Sequence, residues 1–253
     1  MRLMGKDELE FAFELADLGG GRAAERFRAG GWASEDKPDG SPVTEVDREV
    51  EQLMRAQIER ERPDHAIVGE EFGGDGNGEW CWYLDPIDGT ASFIAGAEYW
   101  MTLVALAHRG EVVLGVVDYP MLGQRWWAQR GRGAFCNGQP VHVSPTAELS
   151  RAAITDDWRG TLAMGDREHP LSQLALHVGA VRERQGHSFL GVASGLIDLA
   201  INVGGHPWDF APFKVIIEEA GGRLTDLQGR PRIDQRAALV SNGVLHEAAL
   251  AVI

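Results

Sequence analysis

Trp80-Cys81-Trp82-Tyr83-Leu84-Asp85-Pro86-Ile87-Asp88-Gly89-Thr90 runs an apolar segment directly into two acids, a turn signal and a hydroxyl. A short apolar run bounded by Pro and Gly predicts a buried strand over residues 80–84, which delivers Asp85, Asp88 and Thr90 into one small space. Adjacent acids beside backbone amides suit metal ions and phosphate. Residues 85–90 also fit a plain turn, in which Pro86 and Gly89 bend the chain and the acids are solvated. The flanking sequence has to decide between the two.

Just upstream, Ala66-Ile67-Val68 predicts a short strand running into Gly69-Glu70-Glu71, then a loop with Gly73, Gly74, Gly76 and Gly78. Acids at the end of a buried strand are held by the backbone yet stay reachable, as function requires, although Glu70 and Glu71 equally fit a solvated strand end. Thr44 reads as a helix N-cap with Asp47 three residues on. Val46, Val50, Leu53, Met54 and Ile58 form the apolar face of that helix, which Pro63 closes. Asp47 lies near its positive end, where a purely structural cap and a site acid are both open readings. Further upstream, Leu9, Phe13, Ala16, Ala24 and Phe27 predict a helix over residues 7–27. Gly19-Gly20-Gly21 gives it a weak or close-packed middle, at about 1 kcal/mol per glycine relative to alanine. Residues 34–42 read as a loop or irregular hairpin.

Downstream, residues 101–107 and 111–119 predict a hairpin turning at Arg109-Gly110, with further strands at 124–129 and 141–143 and turn signals at Gly131-Arg132-Gly133 and Asn137-Gly138. Trp126 and Trp127 fall on opposite faces of their strand. The second half alternates helices at 171–178, 188–194, 211–220 and from 244 with extended segments at 181–184, 197–201, 223–225 and 238–241. That is an α/β pattern, α+β in its first part, organised as two subdomains at 1–143 and 144–253 without an independent linker.

At 253 residues the chain can bury a substantial core as one large domain or two packed subdomains. With 44% hydrophobic and 25% charged residues it has the balance of a soluble globular protein. No apolar run is long enough to span a bilayer and the first residues lack a signal peptide's apolar segment, so a cytoplasmic location with no membrane partner is expected. A formal charge of −14 argues against nucleic acid as a partner. An anionic substrate stays open, because divalent cations reverse the local field. Cys81 and Cys136 lack Cys-x-x-Cys spacing and read as buried free thiols.

If Glu70, Asp85, Asp88 and Asp209 converge, four carboxylates repel one another unless cations neutralise them, and hard oxygen ligands select Mg²⁺ or Mn²⁺. Two such ions roughly 3.5–4 Å apart activate water and stabilise the leaving oxygen of an in-line phosphoryl displacement. Gly89 lets the backbone approach an anion, and Thr90 supplies a hydroxyl near the attacking water. Aspartyl-phosphate phosphatases carry a similar Asp-x-Asp-Gly-Thr string, but there the acids are two apart on one side of an extended chain. Here they are three apart across a proline. Phosphate-loop, dinucleotide-turn and His-Glu-x-x-His templates are missing, and Ser194 in Gly191-Val-Ala-Ser-Gly195 is not a nucleophile elbow.

Val43-Thr44-x-x-Asp47, Gly69-Glu70-Glu71, Asp85-Pro-Ile-Asp-Gly-Thr90, Trp208-Asp209 and Glu219-Ala-Gly-Gly222 together resemble the inositol monophosphatase family of lithium-sensitive, magnesium-dependent phosphatases. The motifs occur in the family's order over nearly the whole chain. The resemblance implies a layered αβαβα sandwich of the inositol monophosphatase/fructose-1,6-bisphosphatase type, commonly a homodimer, acting as a metal-dependent phosphoric monoester hydrolase. It implies that Glu70, Asp85, the Ile87 carbonyl, Asp88 and Asp209 hold about two or three Mg²⁺ ions, with Mn²⁺ as a substitute. Thr90 with Glu70 would activate water, and Asp47 would orient Thr90 or approach a further metal. Asp88, Gly89 and Thr90 would bind phosphate, the last two through their amides.

Trp126-Trp127-Ala128, Gly131-x-Gly-Ala-Phe135 and Glu70-Glu71-Phe72-Gly73 resemble the histidinol-phosphate phosphatase branch. Asn202 stands where a glutamate usually contacts the substrate, and Arg184-Gln185-Gly186-His187-Ser188 departs from that branch's pattern. The implied contacts to a small phosphorylated metabolite are Arg184, His187, Ser188, Asn202 and Asp209. Histidinol-phosphate or inositol-phosphate chemistry leads. A sugar or nucleoside monophosphate is one alternative, and a regulatory or binding protein that keeps the fold is another.

Overall fold

A computed structural model describes residues 6–155, 168–182 and 186–253. Its contacts divide the chain into two compact units, Met1–Gln129 and Arg130–Ile253.

The first unit contains α1 (Lys6–Ala29), β1 (Ser34–Asp36), β2 (Pro42–Thr44), α2 (Glu45–Glu61), β3 (Ala66–Gly69), β4 (Trp80–Asp88), α3 (Thr90–Ile94), β5 (Met101–His108), β6 (Glu111–Tyr119) and β7 (Gln124–Gln129). The 34–42 segment is a hairpin, with β1 antiparallel to β2 and Ser34 opposite Thr44. The sheet runs β3-β4-β5-β6-β7, parallel between β3 and β4 and antiparallel from there on. Arg109 (φ 53°) and Gly110 (φ 81°) turn β5 into β6, as a two-residue hairpin requires.

Thr44 caps α2, its hydroxyl accepting from the Val46 and Asp47 amides. Val46, Val50, Met54 and Ile58, four apart on one stripe, are fully buried against Trp82, Leu84 and Leu106. Each such side chain contributes about 1.5–3 kcal/mol. Leu53, expected on that face, is 38% exposed because it lies one position off the stripe. Helix α1 is unbroken through its glycines. A Cβ on Gly19 would lie 2.7 Å from Met54 Sδ, and one on Gly20 would lie 2.9 Å from Pro120 Cγ and 3.0 Å from Asp118 Oδ2. Gly21 has nothing within 4 Å. Of the two readings of this segment, the close-packed middle is the one realised.

The expected end of the strand at Leu84 needs correction. β4 continues to Asp88, and three steps along it from Asp85 to Asp88 face two steps from Leu103 to Met101. That is a β-bulge, one residue longer on the site side, and it leaves Pro86 outside the paired register.

The second unit contains β8 (Ala134–Cys136), β9 (Gln139–Val141), a 3-10 turn at Leu149–Arg151, β10 (Ala153–Thr155), α4 (Pro170–Ala175), β11 (Ala180–Arg182), α5 (Ser188–Ala193), β12 (Leu199–Val203), α6 (Pro207–Glu219), β13 (Arg223–Thr225), β14 (Ala237–Ser241) and α7 (His246–Leu250). The strand expected at 141–143 lies at Gln139–Val141, because Asn137 (φ 48°) and Gly138 (φ 77°) form a tight turn that pairs Cys136 with Gln139. β10 pairs in parallel with β11, and β12-β14-β13 form an antiparallel sheet. α6 begins before the expected 211, with Pro207 in its first turn, where a missing N–H costs nothing. Both cysteines are free, Cys81 buried and Cys136 half-buried. Among the described residues no helix is long and apolar enough to cross a membrane.

His246 ties α7 to the second unit's sheet and is fully buried. Thr225 Oγ1 donates to the Asp226 carbonyl at 2.7 Å, so toward His246 Nε2, 2.9 Å away, it can only accept. Ser241 Oγ accepts the Gly243 N–H and lies 2.8 Å from Nδ1. Nε2–H donates to Thr225 Oγ1, and in the neutral His246 ring Nδ1 is left as an acceptor for the Ser241 hydroxyl. Burial first, then the Arg223 charge against an opposing pull from Glu247, lowers its pKa from 6.5 to about 4.

The unfolded chain therefore takes up this proton near pH 6.5 while the folded one resists it down to about pH 4. The stabilisation is intact above that window and drains away as pH falls through it, by about 3 kcal/mol in total. Urea unfolding at pH 7.5, 6 and 4.5 should give a shallower pH slope for His246→Asn than for the wild type; parallel profiles would contradict the assignment. The α1 glycines make a paired prediction. Gly21→Ala should stabilise by up to about 1 kcal/mol through helix propensity. Gly20→Ala should destabilise by about 1–2 kcal/mol through overpacking, with both read from the same denaturation curves.

Candidate active site

The bulge in β4 arranges the candidate residues of the first unit. Asp85 is 2% exposed, and its Oδ1 accepts the Ile87 N–H at 3.0 Å. Thr102 Oγ1 donates to the Pro86 carbonyl at 2.9 Å, fastening the extra residue to β5. Gly89 then adopts φ 89°, ψ 37°, a left-handed conformation that opens α3. A Cβ there would also lie 3.3 Å from the Tyr99 carbonyl.

Thr90 is buried, with Oγ1 3.1 Å from the Ile87 carbonyl and 3.1 Å from Asp47 Oδ1. Asp47 is fully buried, and its Oδ2 accepts the Thr44 N–H at 2.9 Å and the Thr44 hydroxyl at 2.5 Å. Burial raises the Asp47 pKa above the ordinary carboxyl range, against the donors from Thr44 and Thr90. Asp47 is thus both the capping-box partner of Thr44 and the partner of Thr90.

The Glu70 amide continues the β3–β4 pairing by donating to the Leu84 carbonyl at 3.1 Å. Its carboxylate meets Lys37 Nζ at 2.8 Å, and Glu71 meets the same ammonium at 2.7 Å. Burial opposes the Lys37 charge, but the two carboxylates overcome it and hold its pKa above the ordinary lysine range. The Glu71 carboxyl is pushed up to about 7 by burial, with Lys37 opposing and Glu70 adding to the rise. In the sequence Lys37 falls within the 34–42 loop and belongs to no motif. The available signal was that it is the one basic residue among Glu35, Asp36 and Asp39.

The second unit supplies its own set. Asp209 is the third residue of α6, and its Oδ2 accepts the His206 N–H at 2.7 Å. His187 precedes α5, with Nδ1 accepting the Phe189 N–H at 3.2 Å and its ring stacked on Phe213 at 4.4 Å. His187 and the buried Ser188 border a cavity of 270 Å³, also lined by Thr155, Arg182, Leu196 and Ile197. Arg182 Nη1 donates to the Leu196 carbonyl at 2.7 Å. Thr155, Arg182 and Leu196 were not anticipated; Thr155 lies on β10, a strand too short to show a period. Asn202 sits on β12 opposite Ala238, and its Oδ1 is buried with no hydrogen-bond partner among the described residues. Neither Asn202 nor Asp209 is among the described residues lining the cavity. Arg184 lies outside the described residues.

The model of the inositol monophosphatase family matches residues 6–253. A histidinol-phosphatase of Chlorobaculum parvum is 40% identical over 239 residues, 92% of this chain and 91% of that protein. A histidinol-phosphatase of Mycobacterium tuberculosis is 39% identical over 257 residues, 98% of each chain. The solved structure of a Thermotoga maritima IMPase superposes with a TM-score of 0.84 at 29% identity, covering 97% of this chain and 96% of that one. A match this extensive, in sequence and in fold, means that the chain belongs to the inositol monophosphatase family of phosphoric monoester hydrolases.

Proposed function

We propose that the protein hydrolyses a small-molecule phosphate monoester with divalent metal ions held by Glu70, Asp85, the Ile87 carbonyl, Asp88 and Asp209. The observation that carries the reading is the Thr90 hydroxyl, buried 3.1 Å from both Asp47 Oδ1 and the Ile87 carbonyl, at the end of a strand bearing Asp85 and Asp88. Among the described residues no group of three or more His, Cys, Asp or Glu side chains is disposed to hold an ion alone. The donor chemistry fits a hard cation nonetheless: the set is all oxygen, one donor is a backbone carbonyl, and Asp85 is nearly inaccessible. A carboxylate that deep needs positive charge or donors around it, as Lys37 provides for Glu70 and Glu71.

Bound ions would supply Lewis acidity to the ester and lower the pKa of the attacking water. The chain's own residues do the positioning. Asp47 holds Thr90 Oγ1 in one orientation, so that its lone pairs face the water. Glu70 takes up the water's proton, the amides of Gly89 and Thr90 receive the phosphate oxygens, and the departing alkoxide takes a proton from solvent to leave as the alcohol. Asp209 orients the alcohol part of the ester from α6.

Relatives named histidinol-phosphatase make histidinol phosphate the leading substrate. Neutral Asn202, with its Oδ1 unpartnered, supports a second reading in which the alcohol is a neutral polyol, sugar or nucleoside. A carboxylate there would pair with an ammonium; an amide pairs as readily with hydroxyls.

Phosphate release should stop in EDTA and return with Mg²⁺, with lithium inhibiting; full activity in EDTA would remove the metal from the mechanism. Thr90→Val keeps the shape of the side chain and should lower kcat about 100-fold. A panel of histidinol phosphate, inositol 1-phosphate, fructose 1,6-bisphosphate and nucleoside monophosphates should separate the substrate readings by kcat/KM. On that panel Asn202→Glu should shift preference toward the amine-bearing ester by about tenfold, and an unchanged ranking would place Asn202 outside the substrate site.

A further inference from the structure

The loop that carries Glu70 is held from behind by a carboxylate that the proposed chemistry does not use. Glu51, on α2, is fully buried. Its Oε2 accepts the Glu71 N–H at 2.7 Å, and its Oε1 accepts the Phe72 N–H at 3.2 Å and Arg55 Nε–H at 2.7 Å. Arg55 Nη2 reaches on to the Gly73 carbonyl, with the guanidinium 5.8 Å from the centre of the Phe72 ring. Gly69 and Gly73 close the loop by exchanging both backbone hydrogen bonds at 3.0 Å. A Cβ at Gly69 would fall 2.1 Å from Glu51 Oε1, so the carboxylate occupies the space where a side chain at 69 would lie.

A buried charge persists when it is paired and hydrogen-bonded, and Glu51 is satisfied by two amides of this loop and by Arg55. Lys37 grips the other side through the Glu70 and Glu71 side chains. Backbone and side chains of the loop are therefore held by separate groups. The backbone grip sets the direction in which the residue-70 side chain leaves the chain.

We propose that Glu51, braced by Arg55, is a positioning residue for the Glu70 carboxylate: by fixing the amides of residues 71 and 72 it sets the site's affinity for a divalent ion. The inference rests on the reading of Glu70 as a metal ligand given above. A merely structural clamp would hold the loop and leave ion affinity alone.

The test uses the full chain carrying Glu51→Gln, which keeps the size of the side chain but turns one acceptor into a donor facing donors. Thermal melting reports folding, hydrogen exchange reports the Glu71 and Phe72 amides, and the EPR signal of free Mn²⁺ reports binding. The Mg²⁺ concentration for half-maximal phosphate release is measured beside them. Glu51→Gln should exchange faster at both amides, bind Mn²⁺ about 10- to 100-fold more weakly and need correspondingly more Mg²⁺. Faster exchange with unchanged Mn²⁺ affinity overturns the proposal and leaves Glu51 a structural clamp. Wild-type protein that binds no Mn²⁺ and releases no phosphate instead overturns the functional reading on which it rests. If Glu51→Gln does not fold, Arg55→Lys, which retains the carboxylate and gives up the guanidinium contact to Gly73, carries the same comparison with a smaller shift. Wild-type Mn²⁺ affinity in that folded variant overturns the proposal equally.

Discussion

A fully buried carboxylate, Asp47, joins the start of α2 to the end of β4. A charge in that position is tolerated only with its donors in place, and these come from two elements: Thr44 at the cap and Thr90 after the bulge. Moving either element strands the charge, so helix start and strand end are coupled through one side chain. The cap that begins a helix thereby also fixes a hydroxyl 43 residues further on. Of the two oxygens of Asp47, Oδ2 serves the start of the helix and Oδ1 meets the Thr90 hydroxyl.

The same economy governs the loop after β3. Acidic side chains crowd this end of the sheet, and their repulsion is countered by cations and amides from the chain itself: Lys37 on the side chains of Glu70 and Glu71, Arg55 on Glu51. The bulge in β4 adds the element of direction. One extra residue between Asp85 and Asp88 changes which way the second acid leaves the strand, which separates this site from a simple Asp-x-Asp strand end.

Much of this was legible in the sequence where the determinants are local. The α2 helix announced itself through Thr44, Asp47 and an apolar residue every fourth position, and the β5–β6 hairpin through Arg109-Gly110. The continuation of β4 past Pro86 was hidden, because a proline ordinarily ends a strand and the register shift that excuses this one is set by β5. β10 was hidden because Ala153, Ile154 and Thr155 are too few to show a period and pair with a strand formed much later in the chain. Lys37 and Glu51 act across 33 and 20 residues of sequence on Glu70 and Glu71, through contacts that no spacing rule predicts. The cavity beside His187 likewise gathers residues from β10, β11 and α5 that share no motif.

The order of the first unit's sheet carries a consequence for synthesis. From β4 to β7 each new antiparallel neighbour is the next strand to leave the ribosome, and short turns keep the entropy of closing each pair small. Glu51, Glu70, Asp85, Asp88 and Thr90 all lie in the unit that ends at Gln129. Their mutual geometry can be assembled on a nascent chain well before Asp209 is translated. Lys37 and Arg55 lie in the same unit as the carboxylates they pair with, so those ion pairs need no residue from the second unit.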